Sequence, residues 1–244
     1  MPILETRHIY KRFDGVKAVD KLSLSFEQGK ITSVIGPNGS GKSTLINLLT
    51  GFIPFDSGEV VIAGKEKLLK IQPYETKELG ITRTFQDVRL FEQMPVLDNI
   101  LVVLTERNVF GALFEKHGKL HLAKAEEVLH RVGLWDKRRE LAKNLSYGQR
   151  KLLEIARVLA MDPDIIFFDE PFAGLFPEML KVVVSVMKEL CQQEKTQILV
   201  EHNMELIREL SDHIFVLDAG SLLAEGKPAE VLARRDVVEA YLGE

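Results

Sequence analysis

The octapeptide Gly36-Pro37-Asn38-Gly39-Ser40-Gly41-Lys42-Ser43 fits the phosphate-loop pattern G-x-x-x-x-G-K-[ST]. Residues 31–35 before it are apolar, as in a buried strand, and residues 44–49 after it have the apolar character of a helix. Glycines let the backbone wrap closely around phosphate oxygens, and the following helix adds the positive end of its dipole. The strand–loop–helix order predicts a nucleotide-phosphate site, with a chance glycine-rich turn as the alternative.

The side chains at the end of this loop have separate predicted tasks. The Lys42 ammonium supplies a point charge for the β- and γ-phosphates, and the Ser43 hydroxyl is a candidate ligand for Mg²⁺. Thr44 is expected to help bind phosphate. The other predicted phosphate-contacting positions are Gly36, Pro37, Asn38, Gly39, Ser40 and Gly41.

Two adjacent acids follow an apolar stretch far downstream. Residues 165–168 are Ile-Ile-Phe-Phe, which predicts a strand buried on both faces, and Asp169 and Glu170 come directly after them. Open α/β sheets bind ligands at the carboxyl ends of their strands. Asp169 is therefore a candidate to hold Mg²⁺, and Glu170 is left to orient and deprotonate an attacking water. Two solvated acids in a turn are the alternative.

A capped helix is predicted between these two motifs. In Leu145-Ser146-Tyr147-Gly148-Gln149-Arg150, Ser146 is a candidate N-cap for a helix that includes residues 152–160. A helix start offers backbone N–H groups to an anion. Taken alone, the segment indicates only a capped helix.

Together, these motifs resemble those of the ATP-binding-cassette (ABC) ATPases. Residues 145–149 are similar to the family's signature segment L-S-G-G-Q, and the order of phosphate loop, signature and acidic strand also matches. The resemblance implies an α/β fold: a P-loop NTPase mixed-sheet core with an inserted helical subdomain and an antiparallel β subdomain. Residues 1–244 would form a single ABC ATPase domain, with the core and β subdomain at about 1–73 and 157–244 and the helical subdomain at about 74–156.

The resemblance also implies roles for residues outside these motifs. Phe13 matches the family's aromatic that stacks on adenine, with an ordinary apolar strand residue as the alternative. Gln86 matches a glutamine that contacts Mg²⁺ or the attacking water, and an amide can serve both purposes. His202 matches a histidine that contacts the γ-phosphate, although a histidine at a strand end is often structural. The implied contacts to the ATP of a partner subunit come from Ser146, Tyr147, Gly148 and Gln149.

Two segments narrow the resemblance to one subgroup. Residues 84–91 and the ending 240–244 are similar to the ATPases of branched-chain amino-acid importers, and Tyr147 in the signature points the same way. The implied protein hydrolyses ATP with Mg²⁺, pairs with an identical or paralogous ATPase, and drives a membrane permease served by a solute-binding protein. It would be cytoplasmic, attached to the inner face of the cell membrane through the permease. The alternatives are a lipid or lipopolysaccharide exporter ATPase, a soluble ABC ATPase, or a small-molecule kinase.

Two further features bear on partners. Residues 86–100 are the predicted docking surface for the permease, although their apolar side chains could instead be core: Leu90, Phe91, Met94 and Val96. Phe176 stands where the family usually has a polar residue at the interface between two ATPases. Either Phe176 packs against a partner that is not an identical copy, or it folds back onto Leu175 and Met179.

Composition excludes other classes. The formal net charge of −4 argues against a general nucleic-acid binder. A single cysteine, Cys191, excludes an internal disulfide framework. The N-terminus has no secretory-signal pattern, and no window is apolar enough to span a bilayer. Further strands are predicted at residues 22–26, 59–63, 198–200 and 214–217. The spacing of apolar residues predicts mostly helical structure at 74–144, with a loop at 110–114. One helix is predicted to begin at Pro177, and a short helical segment is predicted from Pro228 onward.

Overall fold

The computed structural model describes residues 1–64, 66–105 and 118–242. Packing divides them into two compact units. The first unit comprises residues 1–83, 164–170 and 188–244, and the second comprises 84–163 and 171–187. The helical subdomain predicted at about 74–156 overlaps the second unit without coinciding with it. The predicted loop at 110–114 lies outside the described residues.

The first unit contains an antiparallel sheet. Its strands are β1 (Pro2–Phe13), β2 (Val16–Leu22), β3 (Ser25–Glu27), β5 (Ser57–Ile62) and β6 (Glu66–Leu68). The strand between β3 and β5 in the chain, β4 (Ile31–Ile35), belongs to a second sheet. Four of these strands lie in the order β2-β1-β5-β6, and β3 also pairs with β1.

The single strand predicted at 22–26 is wrong, because the chain breaks the ladder at residues 23 and 24. The Thr6 hydroxyl takes the place of ladder hydrogen bonds there. It donates to the carbonyl of Leu22 at 3.2 Å and accepts from the N–H of Leu24 at 2.8 Å. The alternating apolar pattern is therefore shared between the end of β2 and the start of β3.

A second, mixed sheet also lies within the first unit. It contains β4 with β7 (Ile81–Arg83), β8 (Ile165–Asp169), β9 (Thr196–Val200), β10 (His213–Asp218) and β11 (Ser221–Gly226). The order is β11-β10-β4-β9-β8-β7, and all neighbours are parallel except β10 and β11. The carboxyl ends of β4, β9 and β8 therefore share one edge. The predicted mixed sheet and antiparallel sheet are confirmed.

The helices match most of the periodic segments. They are α1 (Lys42–Leu49), α2 (Val96–Leu104), α3 (Gly118–Arg131), α4 (Tyr147–Met161), α5 (Pro177–Gln192), α6 (Met204–Leu210), α7 (Pro228–Val231) and α8 (Arg235–Leu242). Single 3₁₀ turns lie at Trp135–Lys137 and Ala142–Asn144. The mostly helical interpretation of 74–144 missed β7, because three residues are too few to show strand periodicity. In the described part of the chain, no helix has the length and apolarity needed to cross a membrane.

The core of the first unit fixes the helix that follows the predicted phosphate loop. Leu45, Ile46, Leu48 and Leu49 of α1 are all buried in a cluster with side chains of both sheets. Fully burying a side chain of this size stabilises a fold by roughly 1.5–3 kcal/mol. The loop between β4 and α1 is therefore anchored at both of its ends.

Candidate functional site

The ammonium of Lys42 is enclosed by the loop that contains it. Its Nζ donates to the carbonyls of Gly36 at 2.7 Å and Pro37 at 2.8 Å, and lies 3.5 Å from Ser40 Oγ. The residue is only 7% exposed. The loop carbonyls thus hold the positive charge at the start of α1, where backbone N–H groups also point out of the helix.

Two glycines of this loop have no room for a side chain. A Cβ on Gly36 would lie 2.1 Å from the carbonyl oxygen of Leu217, and one on Gly41 would lie 2.3 Å from that of Ala18. Both have φ in the region that favours glycine, at 149° and 102°. Ser43 and Asn38 are exposed, whereas Ser40 is buried. The predicted loop is therefore present, and the side chains of Asn38 and Ser43 are accessible to solvent.

Asp169 forms a buried ion pair that the sequence did not suggest. It is the last residue of β8, and its Oδ2 accepts from Arg83 Nη2 at 3.0 Å. The other guanidinium nitrogen of Arg83 donates to Asn47 Oδ1 at 2.6 Å and lies 3.2 Å from Thr50 Oγ1. Arg83 thereby connects the acidic strand to the helix of the phosphate loop. The sequence held no signal for this pair, because β7, which places Arg83 beside β8, is too short to show a strand pattern.

Glu170 and His202 lie side by side at the edge of the mixed sheet. Glu170 Oε1 is 3.2 Å from His202 Nε2, with side chains 21% and 49% exposed. The backbone of Glu170 adopts φ 49°, and its N–H donates to the carbonyl of Val200 at 2.9 Å. A left-handed backbone is uncommon for a glutamate, and such strain clusters at functional sites.

Glu201 fixes the backbone on which His202 sits. This residue is 6% exposed, and its Oε2 accepts from the N–H groups of His202 at 2.8 Å and Asn203 at 3.3 Å. Asn203 in turn caps α6, accepting from the N–H groups of its first turn. The turn from β9 to α6 is therefore closed by side chains on both sides of the histidine.

In the second unit, the predicted N-cap at Ser146 is confirmed. Ser146 Oγ accepts from the N–H of Gln149 at 3.3 Å, and Gln149 Oε1 accepts from the N–H of Ser146 at 3.0 Å. This reciprocal arrangement is a capping box. A Cβ on Gly148 would lie 2.5 Å from Met179 Sδ, so α4 approaches the start of α5 closely there.

Tyr147 and Phe176 are both exposed on the second unit. The Tyr147 ring covers Gly174, where a Cβ would lie 2.8 Å from the ring. Phe176 is 73% exposed, which excludes the predicted alternative that it folds back onto Leu175 and Met179. The aromatic side chain at the family's polar position therefore faces outward.

Gln86 lies in a turn that is held by α4. Gln86 itself is exposed, and the N–H of its neighbour Phe85 donates to Glu154 Oε1 at 3.1 Å. Burial raises the pKa of the Glu154 carboxyl to about 7. Burial also lowers the pKa of Arg157, whose Nη1 donates to the carbonyl of Arg89.

The remaining predicted residues divide between surface and core. Phe13 ends β1 with its ring 43% exposed, and Lys11 Nζ lies 5.3 Å from the ring centroid. Of the predicted docking residues, Phe91 and Met94 are exposed, whereas Val96 is fully buried. Val96 is therefore a core residue, which was the alternative to a docking role for this side chain.

The mixed sheet brings together most of the predicted residues of the first unit, whereas Phe13 lies on β1 of the antiparallel sheet. The phosphate loop follows β4 and His202 follows β9. Asp169 ends β8 and Glu170 follows it, and the spatial order of these strands is β4-β9-β8. Gln86 and the Ser146–Gln149 segment belong to the second unit. Among the described residues, no group of three or more His, Cys, Asp or Glu side chains could hold a metal ion.

The sequence matches known proteins along its whole length. The profile of the ABC transporter family matches residues 19–173, and a profile described as "Branched-chain amino acid ATP-binding cassette transporter" matches 221–244. The chain is 38% identical to the probable branched-chain amino acid transport ATP-binding protein LivG of Archaeoglobus fulgidus, covering 100% of this chain and 96% of that protein. It is also 38% identical to the high-affinity branched-chain amino acid transport ATP-binding protein LivG of Salmonella typhimurium, covering 100% of this chain and 98% of that protein.

Solved structures with the same fold include ABC transporter cassettes. A nucleotide-free cassette superposes with a TM-score of 0.88 at 36% identity, covering all of both chains. A dimeric cassette in a post-hydrolysis state, bound to ADP and phosphate, superposes with a TM-score of 0.80 at 26% identity, covering 92% of this chain and 98% of that one.

Proposed function

Because this chain belongs to the ABC transporter family of ATP-binding cassettes, we propose that it powers uptake of branched-chain amino acids through a separate membrane permease. As a member of that family the chain is an ATPase. The observation that carries the site assignment is the contact of Glu170 with His202, at the sheet edge where β4 leads into the phosphate loop. The solute is inferred from the relatives' names and from the profile matching residues 221–244.

In the proposed site, Lys42 exchanges partners when ATP binds. Its ammonium now donates to the carbonyls of Gly36 and Pro37, and phosphate oxygens are stronger acceptors for a cation. The N–H groups at the start of α1 add further donors. Ser40, Ser43 and Thr44 offer hydroxyls, and the exposed ring of Phe13 offers a face on which adenine can stack.

Glu170 is the proposed base. Its carboxylate is partly exposed and can accept a proton from water, while His202, 3.2 Å away, can donate to a phosphate oxygen or to Glu170 itself. The left-handed backbone of Glu170 and the closed turn around His202 fix both side chains before the reaction. For Gln86, the role proposed from the family resemblance is contact with Mg²⁺ or with the attacking water.

The donor set fits Mg²⁺ as a cofactor of ATP. Magnesium takes few protein ligands, commonly one or two carboxylates or hydroxyls, and completes its shell with phosphate and water. In the first unit, the exposed Ser43 and Asp169, whose Oδ2 also accepts from Arg83, provide one oxygen donor of each kind. The family resemblance adds the amide oxygen of Gln86 as a further proposed ligand. When bound with ATP, the ion would neutralise charge on the β- and γ-phosphates.

Two cassettes are proposed to act as a pair. The Ser146–Gly148 helix start presents backbone N–H groups, and we assign it to the γ-phosphate of ATP held by a second ABC subunit, identical or paralogous. Exposed Phe91 and Met94 are proposed to contact the permease, which would attach the protein to the membrane and receive solute from a binding protein.

The test of the solute assignment is uptake in cells. Deleting the gene in its host should abolish or strongly reduce high-affinity uptake of labelled leucine, isoleucine and valine, while uptake of labelled lysine serves as the control. The parent gene should restore uptake, and Glu170→Gln should not. If leucine uptake is unchanged in the deletion strain, the amino-acid assignment fails, whereas ATP hydrolysis by the purified chain remains a separate measurement.

A further inference from the structure

Two side chains of α4 close the turn that contains Gln86. The carboxylate of Glu154 accepts from the N–H of Phe85 at 3.1 Å and also from the backbone of Arg89, at the other end of the turn. Arg157, one turn along the same helix, donates to the carbonyl of Arg89. Both ends of the segment 85–89 are thus bonded to one helix, and Gln86 lies between them.

Burying the carboxylate of Glu154 costs free energy, because the charged group loses its contacts with water. Glu154 is 6% exposed, and an apolar side chain of similar size would pack there without a desolvation cost. The charged groups that face it are Lys151 and Arg157 on its own helix, and the segment 85–89 contributes backbone N–H groups. A carboxylate can accept two such donors at once, which an apolar residue cannot. The geometry therefore points to a task in holding this turn.

We propose that Glu154 is a positioning residue that holds the 85–89 turn on α4 and thereby fixes Gln86 relative to the signature segment at the start of the same helix. This proposal rests on the proposed role of Gln86 in ATP hydrolysis. Both elements lie in the second unit. Gln86 and Ser146 consequently belong to one compact unit, although they are assigned to different ATP molecules.

The helix α4 connects the Ser146 end of this arrangement to Glu154, and its packing keeps the two at a fixed separation. It begins at the Ser146–Gln149 capping box, and nearly every residue from 151 to 160 is buried. A helix packed on several sides moves as a unit, because its neighbours must repack if it bends. Within the segment 85–89, the Arg89 guanidinium lies 4.3 Å from the centroid of the Phe85 ring.

The first test measures the turn itself. Amide hydrogen exchange, followed by mass spectrometry, is compared in the parent, Glu154→Leu, Glu154→Gln and the control Glu126→Gln, which removes an exposed carboxylate of the second unit. Glu154→Leu should speed exchange at residues 84–90 at least about tenfold while α4 stays protected. Glu154→Gln keeps one acceptor oxygen and should lie closer to the parent. Unchanged exchange at 84–90 in Glu154→Leu would overturn the proposal.

The second test asks whether Glu154 acts through Gln86. Glu154→Leu should lower kcat by about 10–100-fold with little change in KM for ATP, because misplacement costs rate more than binding. In a Gln86→Ala background, Glu154→Leu should lower kcat no further. An equal loss in both backgrounds would show a general structural role and refute the positioning. If Gln86→Ala alone leaves kcat at the parent value, the proposed role of Gln86 fails, while the exchange experiment still decides whether Glu154 holds the turn.

Discussion

Glu170 and His202 are held 3.2 Å apart by the register of two neighbouring parallel strands. Asp169 at the end of β8 pairs with Val200 at the end of β9, so the next residues of both strands leave the sheet at the same level. The N–H of Glu170 crosses back to the carbonyl of Val200, which turns the glutamate side chain toward the histidine. The pair is therefore a product of topology, since the two residues are far apart in sequence.

Replacing Glu170 by glutamine should stop turnover and preserve ATP binding. The amide keeps the shape of the side chain and removes the proton acceptor, and loss of a general base typically lowers a rate by about 10²–10⁴-fold. Phosphate release gives kcat, and calorimetry gives the affinity for ATP. Glu178→Gln, at an exposed glutamate of α5, is the matched control. Parent-like kcat in Glu170→Gln would remove Glu170 from the mechanism.

Replacing Lys42 by alanine should weaken ATP binding as well as abolish hydrolysis. The substitution deletes the only ammonium enclosed by the described loop residues 36–43, where it meets the carbonyls of Gly36 and Pro37. A charge-assisted hydrogen bond contributes about 1.5–3 kcal/mol, so the affinity should fall roughly 10–100-fold. Titration with a fluorescent ATP analogue measures it. Equal affinity for parent and variant contradicts the phosphate-loop assignment.

Replacing Arg83 by methionine should destabilise the chain more than removing a surface ion pair. Arg83 and Asp169 have side chains 10% and 6% exposed, and breaking a buried pair costs about 3–5 kcal/mol. Arg7→Met is the control, because the Arg7–Glu59 pair is much more exposed and solvent screens it, so that its loss should change stability little. Urea unfolding compares both with the parent. If Arg83→Met and Arg7→Met lower the free energy of unfolding equally, the buried Arg83–Asp169 pair stabilises the fold no more than a surface ion pair does.

The sequence was informative wherever a motif and its structural context were contiguous. The phosphate loop lies between a buried strand and a helix that are both next to it in sequence, and Asp169 and Glu170 directly follow their strand. Arg83 and Glu154 were missed because their partners are 86 and 69 residues away, and only the fold brings them together. The break at residues 23 and 24 was missed because a threonine of β1 causes it, which the local alternation of side chains does not reveal.

Replacing Glu154 by glutamine should flatten the pH dependence of stability. Burial raises the pKa of this carboxyl in the folded chain to about 7 from an ordinary 4.5, with Lys151 and Arg157 opposing the shift. Between these values the folded state holds more protons than the unfolded state, so the free energy of unfolding falls as pH rises, by up to about 3 kcal/mol. Urea unfolding from about pH 4.5 to about pH 8 should show the parent losing stability relative to the variant. Parallel curves would contradict this.

The last prediction concerns the partner that meets Phe176. Its ring is 73% exposed at the start of α5, on a segment that the family resemblance assigns to the interface between two ATPases. A phenylalanine cannot make the hydrogen bond expected of a polar residue there, but burying its ring against an apolar surface stabilises a complex by about 1.5–3 kcal/mol. We therefore expect the working pair to be this chain with a paralogue that offers such a surface.

Phe176→Asp separates this pairing from that of two identical chains. ATPase activity of the chain mixed with its candidate paralogue should fall, with about tenfold weaker association, because a charge would be buried where the ring packed. Activity of the chain alone should stay level or rise, since a polar residue restores the family's usual contact. Leu122→Asp, at an exposed apolar residue of α3, is the control and should change neither. A mixed activity that is untouched by Phe176→Asp would show that Phe176 does not determine the interface and would leave the mixed pair without residue-level support.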